Sequence, residues 1–473
     1  MKPKGISLRR WLFLILAGLV GQLAWSLENR YLNTFITYIN FSAPVRERFD
    51  YSLYIALTTA FSAIVATLTT IFMGTLTDKV GHRREFISFG YLLWGIATAG
   101  FGLFNVNSSA ELIPLTRGAS RAAVWVIILD CTMTFFGSTA NDAAFNSYVT
   151  KNIGQKDKGK AEGVLSVLPL ISRLILFVGF NGLTTDSKAG VHDARWDLFF
   201  YLIGGIVFLS GIVSFFLIPK EQENRKSSDE HYLSLLLEGF KPKTVKENKS
   251  LYLILLIYFV FGTANNVFFP YLRVYLEHTC GISNTAENGI LTPFAIVRAV
   301  ALLLGSLLTI VLGFLSDKVG KEKRILPVFA LYGISLVRRA LIPNVGEVKS
   351  RGRTVYACFA GLLMIFGFVG IPTIINALVR EKIPEGKEGV FRGVRRLFVV
   401  ALPMCIGPFI GDAFNSRYGG KFPDPAFPEV RNETPSSYGY YRGLGILALS
   451  LIPIYFYFRE ERKHGMPEKQ RDK

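Results

Sequence analysis

The chain has 473 residues, half of them apolar and only 19% charged, with 39 Phe. A soluble chain of this length would fold as roughly two to four amphipathic domains, whereas apolar runs of about 18 residues or more recur here, which excludes an ordinary soluble class. The formal net charge of +18 does not make the chain a nucleic-acid binder, because its Lys and Arg sit in short clusters between apolar runs and form no continuous basic face.

At the N-terminus, Lys2, Lys4, Arg9 and Arg10 precede an apolar stretch from Trp11. The pattern resembles a secretory leader, but the stretch runs on to Ile39 and more spans follow, so it reads as a retained first span. Twelve spans are expected, at 11–39, 51–77, 86–105, 122–149, 160–184, 197–218, 251–277, 287–315, 325–342, 353–379, 389–414 and 440–458. Each is long enough to cross a hydrocarbon core of about 30 Å at about 1.5 Å per residue, the longer ones with tilt. Between spans six and seven lies one long polar stretch, Lys220 to Ser250. It divides the chain into an N-terminal six-helix bundle (1–219), a linker (220–250) and a C-terminal six-helix bundle with a polar tail (251–473). Lys and Arg concentrate at the N-terminus, at Lys79, Arg83 and Arg84, at Lys151 to Lys160, in the linker, at Lys318 to Arg324 and in the tail. That bias places both termini and the linker in the cytoplasm of a multi-pass plasma (inner) membrane protein, although Lys349, Arg351 and Arg353 run against the trend. The four cysteines are far apart and lack metal-ligand spacing, so free thiols and no zinc are expected.

The halves repeat. Gly74-Thr-Leu-Thr-Asp-Lys-Val-Gly81 closes span two and Gly313-Phe-Leu-Ser-Asp-Lys-Val-Gly320 closes span eight, six of eight residues recurring 239 positions apart. Phe136, Gly137, Asn146 and Val149 of span four return as Phe366, Gly367, Asn376 and Val379 of span ten, at an offset of 230. Two echoes in corresponding spans point to internal duplication, a common way of building transporter folds.

The stretch GTLTDKVGHRRE, repeated as GFLSDKVGKEKR, resembles the signature loop of the major facilitator superfamily. The resemblance implies an all-α membrane protein of twelve transmembrane helices in two pseudo-symmetric six-helix bundles, the major facilitator fold. It also implies a conformational latch formed by Gly74, Asp78, Gly81, Arg83, Gly313, Asp317 and Gly320. Glycines there allow close helix packing, and Asp78 and Asp317 can meet a helix N-terminus or an Arg on the shut cytoplasmic side; ordinary topology charges are the other reading. The polar first span and the stretch from Asn141 to Pro169 are similar to the glycoside-pentoside-hexuronide cation symporters and the sucrose-proton symporters. Melibiose-type sodium symporters carry acidic cation ligands in span two, whereas this span offers Thr58, Thr59, Ser62 and Thr67 but no carboxylate.

Charges inside spans are costly, about 2.5–3.5 kcal/mol each on insertion scales, and usually face a cavity or a partner. Span one carries Glu28, Asn29 and Arg30; span four Asp130, Asn141, Asp142 and Asn146; span five Arg173; span seven Asn265 and Asn266; span eight Arg298; span ten Asn376. At about 100° per residue, Asp130 and Asn141 share one stripe, with Thr134 and Gly137 between them, while Asp142 and Asn146 form a second pair. Trp25 and Tyr31 flank Glu28 at three-residue spacing, and an aromatic plane beside a carboxylate suits a sugar ring. Each charge reads either as part of a solute or ion site or as half of a structural ion pair that fixes helix packing. Arg338, Arg339, Arg395 and Arg396 lie toward span ends and are expected to snorkel. No histidine falls in an apolar core, so an intramembrane proton carrier would be a carboxylate.

The sequence has no GxxxxGK[ST] loop and no nucleophile or metal constellation. Together with the resemblance this gives a non-enzymatic secondary transporter of a small polar solute, a sugar or glycoside, working by alternating access. Its coupling cation is H+ or Na+, it needs no cofactor, and its setting is the lipid bilayer, without nucleic acid and as a monomer. A lipid or lysophospholipid carrier and a non-transporting membrane sensor are the alternatives.

Overall fold

The computed structural model describes residues 7–80, 82–104, 118–153, 155–185, 194–218, 239–280, 322–342, 350–384, 388–423 and 431–464, with isolated positions between 296 and 304. The chain divides into two compact units, one formed mainly by residues up to Asp229 and the other mainly by those from Glu230 on.

In the first unit, α1 (Leu8–Ser42), α2 (Tyr51–Val80), α3 (Arg83–Gly100), α4 (Ala119–Val149), α5 (Gln155–Leu174) and α6 (Trp196–Leu217) follow the six predicted spans closely. Helix α3 packs along α6 through small residues. A Cβ on Gly95 would stand 2.4 Å from the Phe208 amide nitrogen, and one on Gly204 would stand 2.7 Å from the Gly95 carbonyl. In lipid this contact supplies the attraction that water expulsion supplies elsewhere. Two arginines cap the end of α6: Arg9 donates to the Phe216 and Leu217 carbonyls, and Arg84 donates to the Phe215 carbonyl while lying 3.9 Å over the Phe215 ring. They satisfy carbonyls that the last helical turn leaves open and place positive charge where the helix dipole is negative.

The second unit contains α7 (Lys249–Glu277), α8 (Glu322–Ala340), α9 (Ser350–Lys382), α10 (Gly393–Tyr418) and α11 (Tyr438–Lys463). Predicted span eight lies outside the described residues. The core joins Ile254, Phe261 and Phe268 of α7 with Phe329 and Tyr332 of α8, Met364 and Ile371 of α9, and Tyr440 of α11. Two ion pairs tie the end of α11 to its neighbours, Lys249–Glu460 at 3.0 Å and Lys382–Glu461 at 2.6 Å. Between α10 and α11 two short strands pair, Gly420–Pro423 and Arg431–Thr434, a feature absent from the all-helical expectation.

Candidate cation and solute site

Helix α1 changes to π geometry at Glu28–Leu32, and α4 does the same at Ser138–Phe145. Such turns occur often at functional sites, because the extra residue per turn re-aims side chains. Trp25, Glu28 and Tyr31 therefore do not share a face. Trp25 packs on Trp94 with ring centroids 5.0 Å apart, and Tyr31 packs on Phe199 at 5.0 Å. Glu28, only 8% exposed, instead turns toward α2 and α4. The single-face expectation assumed unbroken α geometry, and the π turn breaks it between Glu28 and Tyr31.

The Glu28 carboxylate accepts hydrogen bonds from the Ser62 and Thr134 hydroxyls, and Ser62 Oγ and Thr134 Oγ1 are themselves 3.1 Å apart. Asp130, one turn before Thr134, is completely buried and lies within electrostatic reach of Glu28. Both Asp130 oxygens and Glu28 Oε2 have no hydrogen-bond partner among the described residues. Two buried carboxylates thus act on one another, and among the described residues no arginine or lysine is paired to them. Several kcal/mol is the usual penalty for an uncompensated buried charge, and a proton or a small cation is the species that relieves it. In what it can do, the cluster is a cation acceptor.

Helix α4's predicted stripe is turned inward. Asn141 and Asp130 both face α1: a Cβ on Gly21 would sit 1.9 Å from Asn141 Nδ2 and 2.7 Å from the Tyr91 hydroxyl. Gly21 and Glu28 are seven residues apart, two turns along one face of α1, and Asp130 and Asn141 are eleven residues apart, about three turns, on α4. Tyr91 donates to the Ala17 carbonyl at 2.6 Å and fixes α3 to the same seam. Asp142, half-buried, accepts from Ser138 at 3.3 Å and acts electrostatically on Glu28 and Tyr91. The second pair is more open, since Asn146 is exposed and donates to the Asp142 carbonyl at 3.2 Å.

Other predicted residues lie apart from the pair. Asn29 is exposed and donates to the carbonyl of Trp25 on its own helix at 2.8 Å. Arg173 is exposed on α5, beside a Ser26–Ser172 contact of 3.1 Å. In the second unit Asn265 accepts from the Tyr332 hydroxyl, and Asn266 donates to the Gly262 carbonyl at 2.9 Å. Asn376 accepts from Arg395 at 2.9 Å and is hydrogen-bonded to Tyr258, joining α9, α10 and α7. Arg395 is therefore a half-buried network member, and Arg339 is buried within the unit; neither snorkels, whereas the neighbouring Arg338 is exposed. Distance from a span end misjudges these two because position around the helix, not along it, decides which side chain enters the bundle.

At the latch, Arg83 is buried and donates to Ser147 Oγ at 3.1 Å, linking the start of α3 to the end of α4. Among the described residues no atom lies within 4 Å of a Cβ placed on Gly74, so the close helix packing expected there is not found. The Asp78 side chain, Gly81, Arg298, Gly313, Asp317 and Gly320 lie outside the described residues. Sequence reasoning missed Tyr91, Tyr258 and Tyr332, since a tyrosine in an apolar run carries no pattern that separates it from core. All four cysteines are free thiols.

The Major Facilitator Superfamily profile matches residues 9–408. The chain belongs to the Major Facilitator Superfamily. It is a membrane transporter by family, not an enzyme. Among solved structures it is similar to a D-xylose-proton symporter (12% identity, 94% of this chain and 98% of that one, TM-score 0.66). It is also similar to the nucleoside transporter NupG (10% identity, 94% and 99%, TM-score 0.63). A bacterial homologue of the human lysosomal transporter Spinster matches as well (14% identity, 97% and 98%, TM-score 0.61). At these identities the likeness establishes the fold, the twelve-helix arrangement of two bundles. A comparison with curated protein sequences finds no match.

Proposed function

We propose that this transporter moves a small polar solute, a sugar or glycoside, across the plasma membrane together with a proton, by alternating access. One observation carries the reading: Glu28 and Asp130 are buried together in the first bundle without a cationic side chain paired to them among the described residues. A secondary transporter needs a group that takes up a cation on one side of the membrane and gives it up on the other. A carboxylate pair whose Glu28 member accepts from the Ser62 and Thr134 hydroxyls meets that need. The same oxygens also suit Na+, so the coupling ion is assigned by experiment. Fold relatives that include a xylose-proton symporter and a nucleoside transporter are compatible with a hydroxyl-rich solute.

A second reading rests on a different feature. Between α2 and α4 runs an open groove of about 690 Å³ lined by Leu57, Phe61, Val124, Ile128 and Phe135 among others. An apolar groove of that size suits an acyl chain and favours a lysophospholipid or other amphiphile. Uptake of labelled sugars and of lysophospholipids into proteoliposomes, with and without an acid-outside or sodium gradient, separates the readings. Accumulation of a sugar that requires the acid-outside gradient supports the first; accumulation of lysophospholipid alone assigns the second.

A further inference from the structure

The second unit contains a buried cation without a counter-ion among the described residues. Arg339, near the end of α8, is 6% exposed, and its Nε and Nη1 atoms have no hydrogen-bond partner among the described residues. Its Nη2 atom lies over Gly361 of α9, where a Cβ would come within 2.8 Å, so the guanidinium is seated against helix backbone. Around it stand the phenols of Tyr275 on α7, Tyr332 on α8 and Tyr440 on α11, each within electrostatic reach. The Tyr332 hydroxyl is occupied by Asn265. Those of Tyr275 and Tyr440 are buried and, among the described residues, have no oxygen or nitrogen partner, the Cys280 thiol being the polar neighbour of Tyr275. The two rings pack edge to face at 5.2 Å. The carboxylate nearest along α7, Glu277, is engaged by Arg273 at 2.9 Å.

We infer that Arg339, Tyr275 and Tyr440 form a binding site for a small monovalent anion, of the size of chloride or acetate, inside the second bundle. The chemistry is one-sided. Two guanidinium N–H groups and two phenol O–H groups are donors in want of an acceptor, and the guanidinium brings a full positive charge. Arginine cannot shed its proton to escape burial, and several kcal/mol is the usual cost of an uncompensated charge in such surroundings. An anion bound among these groups offsets that cost and satisfies the donors at once. It also pins α7, α8, α9 and α11 together. The site is separate from the Glu28–Asp130 pair and holds whatever the transported solute proves to be.

The full-length protein, purified in detergent, is unfolded thermally in sodium chloride, sodium acetate or sodium gluconate at constant ionic strength; gluconate is the anion too large for the site. The expected result is a saturable rise of about 2–5 °C in chloride or acetate over gluconate. Whichever of the two saturates at the lower concentration identifies the source, a halide or a carboxylate. Arg339→Met should lose the response and be no less stable than the wild type in gluconate. Tyr440→Phe, which keeps the ring and loses one donor, should raise the half-saturating concentration about tenfold. Identical melting of the wild type in all three anions, or an Arg339→Met protein that keeps the response, overturns the site. Should Arg339→Met fail to fold, Tyr440→Phe decides: an unchanged half-saturating concentration overturns the inference.

Discussion

The Ser62 hydroxyl on α2 donates to the Glu28 carboxylate on α1. This bond ties two helices at the one place where α1 departs from α geometry. Ser62→Ala removes the donor and leaves a buried acceptor oxygen short of a partner. The expected loss is about 1–3 kcal/mol of stability, read as a lower apparent Tm, with a change in the pH profile of transport. A stability change without any change in that profile would confine Ser62 to packing.

Among the described residues Asp130 has no hydrogen-bond partner for either oxygen. Asp130→Asn relieves the repulsion between two buried carboxylates, so the variant is expected to be at least as stable as the wild type while losing proton-driven accumulation by tenfold or more, on the order of 1.4 kcal/mol. Thermal unfolding and gradient-driven uptake, measured on one preparation, check both halves.

Gly21 marks the closest approach of α1 to Asn141 and Tyr91. Gly21→Val puts methyl groups where Asn141 Nδ2 now lies, and the overpacking is expected to cost about 1–3 kcal/mol. Its signature is poor folding of the whole first bundle, measured as recovered monodisperse protein. Gly205→Ala, at a position with no heavy atom within 4 Å of the added Cβ among the described residues, is the matched control and should fold normally.

Arg83 and Asp78 share the loop that resembles the superfamily latch, and Arg83 already holds Ser147. Asp78→Asn is expected to populate cytoplasm-open states, because the closed cytoplasmic face loses a charge-assisted contact. Cysteine labelling at the two membrane faces reads the shift, and equal labelling in Asp78→Asn and the wild type would remove the latch role.

Much of the architecture was legible because apolar length and the GxLxDKVG repeat are one-dimensional signals. Five helices of the first unit fall where the runs predict them, and the remaining one, α5, starts earlier than its run and turns to π geometry at Ile175–Gly179. The inward stripe of Asp130 and Asn141 was legible from helical spacing alone. The partner of Glu28 was not: Ser62 lies 34 residues away on another helix, and the local pattern of α1 does not name it. Arg339 and Arg395 were misjudged for a related reason. Adjacent arginines at 338 and 339 look alike in sequence, yet one step of about 100° sends the first outward and the second into the bundle. The two short strands between α10 and α11 lie in a stretch whose Pro and Gly content reads as loop.

The central claim is that Glu28 carries the coupling cation. Glu28→Gln keeps the size of the side chain and its bonds to hydroxyls but cannot carry a proton or a charge. Its measurement is uphill accumulation against equilibrium exchange of the same labelled solute in proteoliposomes. The account predicts that a folded Glu28→Gln protein loses accumulation driven by the gradient and retains exchange between equal compartments. Accumulation at the wild-type rate by a stable Glu28→Gln protein would contradict it.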